Sequence, residues 1–233
     1  MTKKMHVNGY LRIFKLTMIQ AVIFDMDGLL IDSEPLWREA EITIFNSIGL
    51  NFTEDMCRQT MGMRIDEVVI YWYNQFQWNT LSVDKVADLI VDEVIRLILE
   101  KGKALEGVYS TFEMLKSKKI PMAIASSSSM RIINTVVDTF QIKHHFDVIH
   151  SAEYEKYGKP HPQVFISTAT KLNVQPENCL VFEDSKHGMI AALSAKMNVI
   201  VIPENPSKNE NWHDLANQKL NSLEEFEISD WKL

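Results

Sequence analysis

The chain alternates short apolar runs with segments of helical periodicity, and this alternation restricts the folds that it can adopt. Short runs of four or five mainly apolar residues are typical of parallel strands that are buried on both faces. Five such runs are found, at 20–24, 121–125, 146–149, 179–182 and 198–202. Segments with helical spacing separate the later runs, at 106–118, 130–140, 162–173 and 187–196. The alternation predicts an α/β fold with a doubly wound parallel sheet.

One long stretch departs from this alternation and contains no convincing strand. Within residues 36–102, an apolar helical face begins at Leu36 and continues to Ile48. A second apolar face begins at Val83, and Gly102 is well placed as the stop of that helix. We therefore predict that residues 36–102 form an all-helical domain inserted after the first strand of the α/β core.

The predicted core is discontinuous and comprises residues 20–35 and 103–233. Residues 1–19 precede it and carry basic residues but no acid. Lys15 interrupts the only apolar part of this leader, and no small-residue cleavage site follows, so we do not expect a secretory signal. We interpret residues 1–19 as an N-terminal extension, with a short targeting or binding arm as the alternative.

Charge and composition exclude several classes of protein. Lys and Arg number 24 and Asp and Glu number 31, which gives a net charge of −7, whereas nonspecific binding to nucleic acid or to anionic membranes requires a basic surface. No apolar run approaches the roughly 20 residues that span a bilayer. The two cysteines, Cys57 and Cys179, lack the spacing of a disulfide framework or a thiolate zinc site. We expect a cytoplasmic monomer with no nucleic-acid or membrane partner.

Chemically useful side chains lie at the ends of three predicted strands and in one loop, in the region where open α/β sheets bind ligands. Clustered carboxylates repel one another unless a cation neutralises them, and hard oxygen ligands select Mg²⁺. A metal and a lysine together offset phosphate charge, and a carboxylate can act as the nucleophile. A second carboxyl nearby can protonate the leaving alcohol and then activate water. The residues concerned are Asp25, Asp27, Ser126, Lys159, Glu183 and Asp184.

Four segments resemble, in order and at suitable spacing, the motifs of the haloacid dehalogenase-like (HAD) hydrolase superfamily. The segments are FDMDGLLIDS at 24–33, ASSS at 125–128, KPHP at 159–162 and EDSKHG at 183–188. Each motif alone is weak, whereas the ordered set is specific. The helical insertion at 36–102 is similar to the cap that this family places after its first motif.

The resemblance implies a nucleophile and a magnesium site. Asp25 would be the nucleophile and a metal ligand. Asp27 would be the general acid and base, and its backbone carbonyl would also bind the metal. Asp184 would be the third protein ligand, with Glu183 beside it as a ligand or as a partner of the ligands.

The resemblance also implies a phosphate site. Ser126 and the backbone around Ser127 would bind the transferred phosphoryl group, and Lys159 would neutralise the nucleophile and the phosphate. Gly158 departs from the family pattern, because a serine commonly precedes the lysine. That change removes a hydroxyl and leaves the lysine in place.

Two residues bear on the choice of reaction. Asp27 argues against a dehalogenase, since that branch lacks the second aspartate of the first motif. The β-phosphoglucomutase branch is more similar, but it carries a histidine where Trp37 stands here. An indole N–H can donate but cannot shuttle a proton, so the comparison favours hydrolysis over phosphomutase activity.

The chain also resembles the bacterial subgroup that dephosphorylates 2-deoxyglucose 6-phosphate and hexitol phosphates, which predicts a small phosphorylated sugar or polyol as substrate. Trp37 and Arg64 are further predicted substrate contacts, with cap packing and surface exposure as the respective alternatives. A phosphomutase, or a non-enzymatic regulator that responds to phosphate, is the alternative for the whole protein.

Overall fold

A computed structural model describes residues 2–7, 10–15, 18–203 and 210–232 of the protein. Its strands are β1 (Thr2–Val7), β2 (Tyr10–Lys15), β3 (Ala21–Phe24), β4 (Met122–Ser126), β5 (Val148–Ser151), β6 (Cys179–Glu183), β7 (Asn198–Val201) and β8 (Gln218–Lys219). Its α-helices are α1 (Glu34–Ser47), α2 (Glu54–Gln59), α3 (Ile65–Phe76), α4 (Val83–Lys101), α5 (Val108–Ser117), α6 (Met130–Thr139), α7 (Gln163–Leu172) and α8 (Lys186–Ser194).

Six strands form one parallel sheet in the order β5-β4-β3-β6-β7-β8. The strand that follows the N-terminal segment, β3, lies in the interior of the sheet, and the chain adds β4 and β5 on one side and β6, β7 and β8 on the other. This reversal of direction at β3 is the switch point of a doubly wound sheet, where such folds bind ligands. The predicted α/β fold is confirmed.

Alternation along β3 explains why both faces of the sheet are covered. Val22 and Phe24 belong to one buried cluster, and Ala21 and Ile23 belong to the other. Successive side chains of a strand point to opposite faces, so an entirely apolar strand requires a helical layer on each side. Phe24 stacks on Phe182 of β6 with ring centroids 5.1 Å apart.

Helices α1 to α4 occupy residues 34–101 and follow β3 directly. Ser82 caps the N-terminus of helix α4, because its hydroxyl accepts a hydrogen bond from the backbone N–H of Lys85 at 3.2 Å. The helix ends before Gly102. Phe45, Phe52 and Trp78 pack together inside this helical segment. Both predicted helices are present, and α2 and α3 are additional.

The sequence patterns did not predict every element. The N-terminal extension contains an antiparallel pair, β1 and β2, that forms a separate two-stranded sheet. The short strand β8 extends the edge of the main sheet beside β7. None of the helices in the described ranges is long and apolar enough to span a membrane.

Candidate active site

The sheet order brings three sequence motifs together at the carboxyl ends of neighbouring strands. Asp25 directly follows β3, Ser126 is the last residue of β4, and Glu183 is the last residue of β6. Because β3 pairs with both β4 and β6, Asp25 lies between the other two strand ends. Its backbone N–H donates to the carbonyl of Phe182 at 2.9 Å, which fixes the main chain where the strand ends.

Lys159 joins two of the acidic residues in a buried ion-pair network. Its Nζ donates to Oδ1 of Asp25 at 2.7 Å and to Oε1 of Glu183 at 2.6 Å. The lysine side chain is only 2 % exposed, and Nζ lies 4.9 Å from the ring centroid of Phe165. A buried ammonium group is stable only when it is paired, so the two carboxylates and the lysine depend on one another.

At these strand ends, the three acidic side chains outnumber the single ammonium group of Lys159. Oxygen atoms of Asp25, Glu183 and Asp184 lie within 4.8 Å of one another, and all three residues are buried. Oδ2 of Asp184 is buried without a hydrogen-bond partner, which is costly for a carboxylate. Three carboxyl groups around one lysine, with an oxygen left unpaired, fit a hard divalent cation.

Glu183 differs from the other two acids because both of its oxygens have partners. Oε1 accepts from Lys159, and Oε2 accepts from the backbone N–H groups of Asp184 and Ser185, each at 3.2 Å, and from the Ser185 hydroxyl. These contacts favour the predicted role of Glu183 as a partner of the ligands over a direct metal bond.

The pKa values reflect the burial of these groups first and the crowding of like charges second. Burial raises the pKa of Asp25 to about 8, against the opposing effect of Lys159. Burial, followed by the charges of Glu183 and Asp25, also raises the pKa of Asp184 well above its usual range. For Lys159, burial lowers the pKa, but the two neighbouring carboxylates outweigh burial and hold it above its usual range. A bound cation would favour the ionised form of the acids.

Gly28 permits the close approach of the first motif to the acidic cluster. Its φ is +67°, a conformation that residues with a side chain rarely adopt. A Cβ atom at this position would overlap the carboxyl group of Asp184. The glycine therefore serves both the turn after β3 and the packing of that turn against Asp184.

Four side chains donate hydrogen bonds to the carboxyl group of Asp27. Oδ1 accepts from the hydroxyl of Ser33 at 2.7 Å and from the indole N–H of Trp37 at 2.9 Å. Oδ2 accepts from the hydroxyl of Ser128 at 2.6 Å and more weakly from that of Ser126 at 3.4 Å. Together the four side chains fix the orientation of the Asp27 carboxyl group.

Trp37 thus lies at the predicted site, but its polar atom contacts Asp27. Arg64 is placed differently. Its guanidinium forms two hydrogen bonds to Asp66 and donates to the carbonyls of Ala152 and Glu155 at 3.0 and 2.9 Å. These contacts favour a role in holding the helical segment against the α/β core over the predicted contact with substrate.

The departure at Gly158 has a packing reason. The backbone N–H of Gly158 donates to Oε1 of Glu67, a residue of α3, at 2.9 Å. A Cβ atom on Gly158 would crowd the Glu67 carboxyl and lie 3.1 Å from Cβ of Arg64. The missing serine side chain therefore leaves room for α3 to contact the loop that carries Lys159.

Further contacts close the helical segment over the strand ends. The hydroxyl of Ser127 donates to the carbonyl of Gly62 at 3.0 Å, and Nδ1 of His187 lies 2.9 Å from the carbonyl of Met61. The hydroxyl of Ser127, a predicted phosphate-binding residue, therefore donates to the helical segment. The backbone of Ser127 remains adjacent to Ser126.

A cleft of about 50 Å³ separates the two layers. Asp25, Asp27, Asp184 and the serines of the second motif form its floor, and α1 and the segment after α2 form its roof. The roof includes Glu41, which the motif analysis did not single out. An acidic residue four positions after Trp37, next to buried apolar positions of the same helix, was the available signal.

The comparisons with known proteins agree with this geometry. Residues 22–202 match the haloacid dehalogenase-like hydrolase family. The chain is 40 % identical to hexitol phosphatase B of Escherichia coli K12, over 91 % of this chain and 96 % of that protein. It is 36 % identical to a phosphorylated carbohydrates phosphatase of Thermotoga maritima, over 76 % of this chain and 82 % of that one.

Solved structures show the same architecture. A β-phosphoglucomutase from Clostridium difficile superimposes with a TM-score of 0.79 at 25 % identity, covering 91 % of this chain and 95 % of that chain. The match of residues 22–202 includes all four motifs, from FDMDGLLIDS at 24–33 to EDSKHG at 183–188. The protein belongs to the haloacid dehalogenase-like hydrolase family.

Proposed function

We propose that the protein is a magnesium-dependent phosphatase that hydrolyses small sugar or polyol phosphates through an aspartyl phosphate on Asp25. The observation that carries this proposal is the pairing of Asp25 with Lys159 at 2.7 Å, beside a second carboxyl, Asp27, that side-chain donors hold in place. The hexitol and carbohydrate phosphatases among the relatives support the substrate class.

In the first step, an oxygen of Asp25 attacks phosphorus. A bond from this carboxylate oxygen to phosphorus forms while the bond from phosphorus to the substrate alcohol oxygen breaks. Asp27 gives a proton to the leaving alkoxide. Lys159 and the hydroxyl of Ser126 offset the charge on the phosphoryl oxygens.

In the second step, water attacks the phosphorus of the aspartyl phosphate. Asp27, now ionised, takes the proton from this water, and the bond to Asp25 breaks to release inorganic phosphate. The four side chains around Asp27 hold its carboxyl group in place for both proton transfers. The cycle consumes one water molecule and restores both carboxyl groups.

Asp25, Asp184 and the backbone carbonyl of Asp27 would hold magnesium, with Glu183 supporting them. The unpaired Oδ2 of Asp184 and the excess of acids over lysine support this assignment. Magnesium, when bound, offsets the negative charge of the carboxylates and of the phosphate. The hard, all-oxygen donor set favours Mg²⁺ over softer metals.

The helical segment, residues 36–102, would act as a cap. The cleft lies between the helical segment and the strand ends. Withdrawal of the helical segment from the strand ends would open the cleft to a sugar phosphate. Closure afterwards would exclude bulk water from the phosphoryl group. The cytoplasmic location and the monomeric state remain predictions.

Phosphomutase activity is the second candidate, because a solved structure of similar fold is named a β-phosphoglucomutase. A mutase must return the phosphoryl group to a sugar hydroxyl and keep water away from the aspartyl phosphate. Trp37 cannot take up a proton, and the relatives of 36 and 40 % identity are named phosphatases. Hydrolysis is the function that these observations favour.

The test is phosphate release from about twenty phosphorylated metabolites, with and without magnesium. The set includes 2-deoxyglucose 6-phosphate, sorbitol 6-phosphate, mannitol 1-phosphate and β-glucose 1-phosphate. We expect magnesium-dependent release from hexose or hexitol phosphates. Isomerisation of β-glucose 1-phosphate without release would instead establish a mutase, and no turnover at all would favour the regulator.

Two matched variants connect the activity to the proposed nucleophile. Asp25→Asn preserves the shape of the side chain but removes the nucleophile, so we expect turnover to disappear while the protein remains folded. Asp32→Asn makes the same change at an exposed position of the first motif and should retain wild-type turnover. Activity of Asp25→Asn near the wild-type rate would refute the mechanism.

A further inference from the structure

Glu41 is a buried acid that the proposed mechanism does not use. Its residue is 7 % exposed, and one carboxylate oxygen, Oε2, is buried without a hydrogen-bond partner. A carboxyl group in such a place is costly. Packing alone would be served better by an apolar residue, since the neighbouring buried positions on α1 are Leu36, Ala40 and Phe45.

Glu41 lies beside Trp37 in the cleft. It lies one helical turn after Trp37, so the two side chains project from the same face of α1. The indole of Trp37 contacts Asp27, which serves the leaving alcohol in the proposed mechanism. Both residues line the cleft above Asp25, and Glu41 therefore lies toward the part of the substrate that carries the alcohol.

The surroundings of Glu41 support a hydroxyl ligand. Burial raises the pKa of Glu41 to about 7, although a hydrogen bond with Cys57 and the charge of Arg38 act in the opposite direction. Near neutral pH the group is therefore available in both forms, one that only accepts hydrogen bonds and one that also donates. A hydroxyl group both donates and accepts, so it can pair with either form.

From this arrangement we propose that Glu41 forms a subsite that recognises hydroxyl groups on the sugar or polyol chain of the substrate. The inference rests on the proposed phosphatase function and adds to it the residue that selects the substrate class. Glu41 lines the cleft, and a hydroxyl group that enters it as the helical segment withdraws would give Oε2 the partner that it lacks. A substrate without hydroxyl groups would leave this oxygen unpaired. Because an unpaired buried oxygen costs free energy, the enzyme would favour substrates with hydroxyl groups over those without.

The experiment compares two substrates in four proteins. Sorbitol 6-phosphate carries a hydroxyl-rich chain, and n-hexyl phosphate carries a chain of the same length without hydroxyl groups and an alkoxide leaving group of the same kind. The ratio of their kcat/KM values is measured for the wild type, Glu41→Leu, Glu41→Gln and Glu39→Gln. Glu39 lies on the same helix, is exposed and pairs with Lys101, so its variant is the matched control.

We expect the ratio to fall at least tenfold in Glu41→Leu and by a smaller factor in Glu41→Gln, which keeps one acceptor oxygen. Glu39→Gln should keep the wild-type ratio. The ratio separates recognition of hydroxyl groups from general damage, because misplacement of Asp27 or of the cap would lower the turnover of both substrates. Should the leucine variant not fold, the glutamine variant, which has the same shape, carries the test.

The possible failures can be told apart. If the wild type hydrolyses sorbitol 6-phosphate and both Glu41 variants keep the ratio, the subsite is wrong and the phosphatase function stands. If the wild type hydrolyses n-hexyl phosphate but no sugar or polyol phosphate, the proposed substrate class is wrong, and the subsite is overturned with it.

Discussion

The indole N–H of Trp37 donates to Oδ1 of Asp27 at 2.9 Å. This hydrogen bond connects the first helix of the inserted segment to the carboxyl group that follows β3. It gives the tryptophan a definite role, because a donor at this point holds a carboxylate in one orientation without competing for its proton. Trp37 is thus a positioning residue for Asp27.

Replacement of Trp37 by phenylalanine tests that role. We expect Trp37→Phe to lower kcat about tenfold or more, because loss of a hydrogen bond to a charged group costs about 1.5–3 kcal/mol. Trp78→Phe is the control, since Trp78 is also an aromatic residue of the helical segment but its buried Nε1 has no hydrogen-bond partner. Equal kcat values for the two variants, measured by phosphate release at saturating substrate, would contradict the positioning role.

Glu183 and Asp184 should differ in their effect on magnesium binding. We expect magnesium to raise the melting temperature of the wild type, because a ligand that binds only the folded state stabilises it. Asp184→Asn should remove most of this increase, since Oδ2 of Asp184 is the unpaired oxygen. Glu183→Gln should retain more of it, because both Glu183 oxygens already have partners. Thermal unfolding at several magnesium concentrations measures the difference, and the reverse order would make Glu183 the stronger ligand.

Arg64 should affect the closure of the helical segment. Arg64→Ala removes the hydrogen bonds to the carbonyls of Ala152 and Glu155, so we expect a higher KM and a lower kcat/KM with little change in kcat. Arg58→Ala is the matched control, because Arg58 is an exposed residue of α2 whose ion pairs remain within that helix region. Steady-state kinetics on one sugar phosphate distinguishes the variants. An effect of Arg64→Ala on kcat alone would instead place the guanidinium at the reacting group.

Glu41 should make the stability of the protein depend on pH. Its pKa is about 7 in the folded protein and 4.5 without burial, so the folded state holds a proton that the unfolded state releases between these values. The free energy of unfolding should therefore fall as pH rises from about 4.5 to about 7, by at most about 3 kcal/mol from this group. Urea unfolding at pH 5 and pH 7.5 measures the change. Glu41→Gln should lose this component, whereas Glu39→Gln should keep it.

The fold was largely predictable because the signals were strong and local. The five apolar runs predicted the five longer strands of the main sheet. The polar residues at the ends of these runs included the predicted site residues Asp25, Ser126, Glu183 and Asp184. The short strand β8 escaped prediction because two residues have no periodicity of their own. The pairing of β1 with β2 depends on contacts between strands that an interrupted apolar run does not indicate.

The partners of the site residues were less predictable than the residues themselves. The motifs indicated Trp37 and Arg64, but their hydrogen bonds depend on how α1 and α3 lie against the strand ends. The departure at Gly158 was visible in the sequence, yet its reason, the approach of Glu67, requires the folded structure. Glu41 was overlooked because a single acid on a helix is ordinarily a solvent-exposed residue.

The position of β3 within the sheet has a consequence for synthesis of the chain. This strand leaves the ribosome early, but its neighbours β4 and β6 begin about 100 and 155 residues later. Both edges of an apolar strand therefore stay unpaired while the helical segment is made, and such edges favour association with other chains. Pairing over these separations also slows folding. Strand β3 is thus a segment of the nascent chain that needs protection until β4 and β6 emerge.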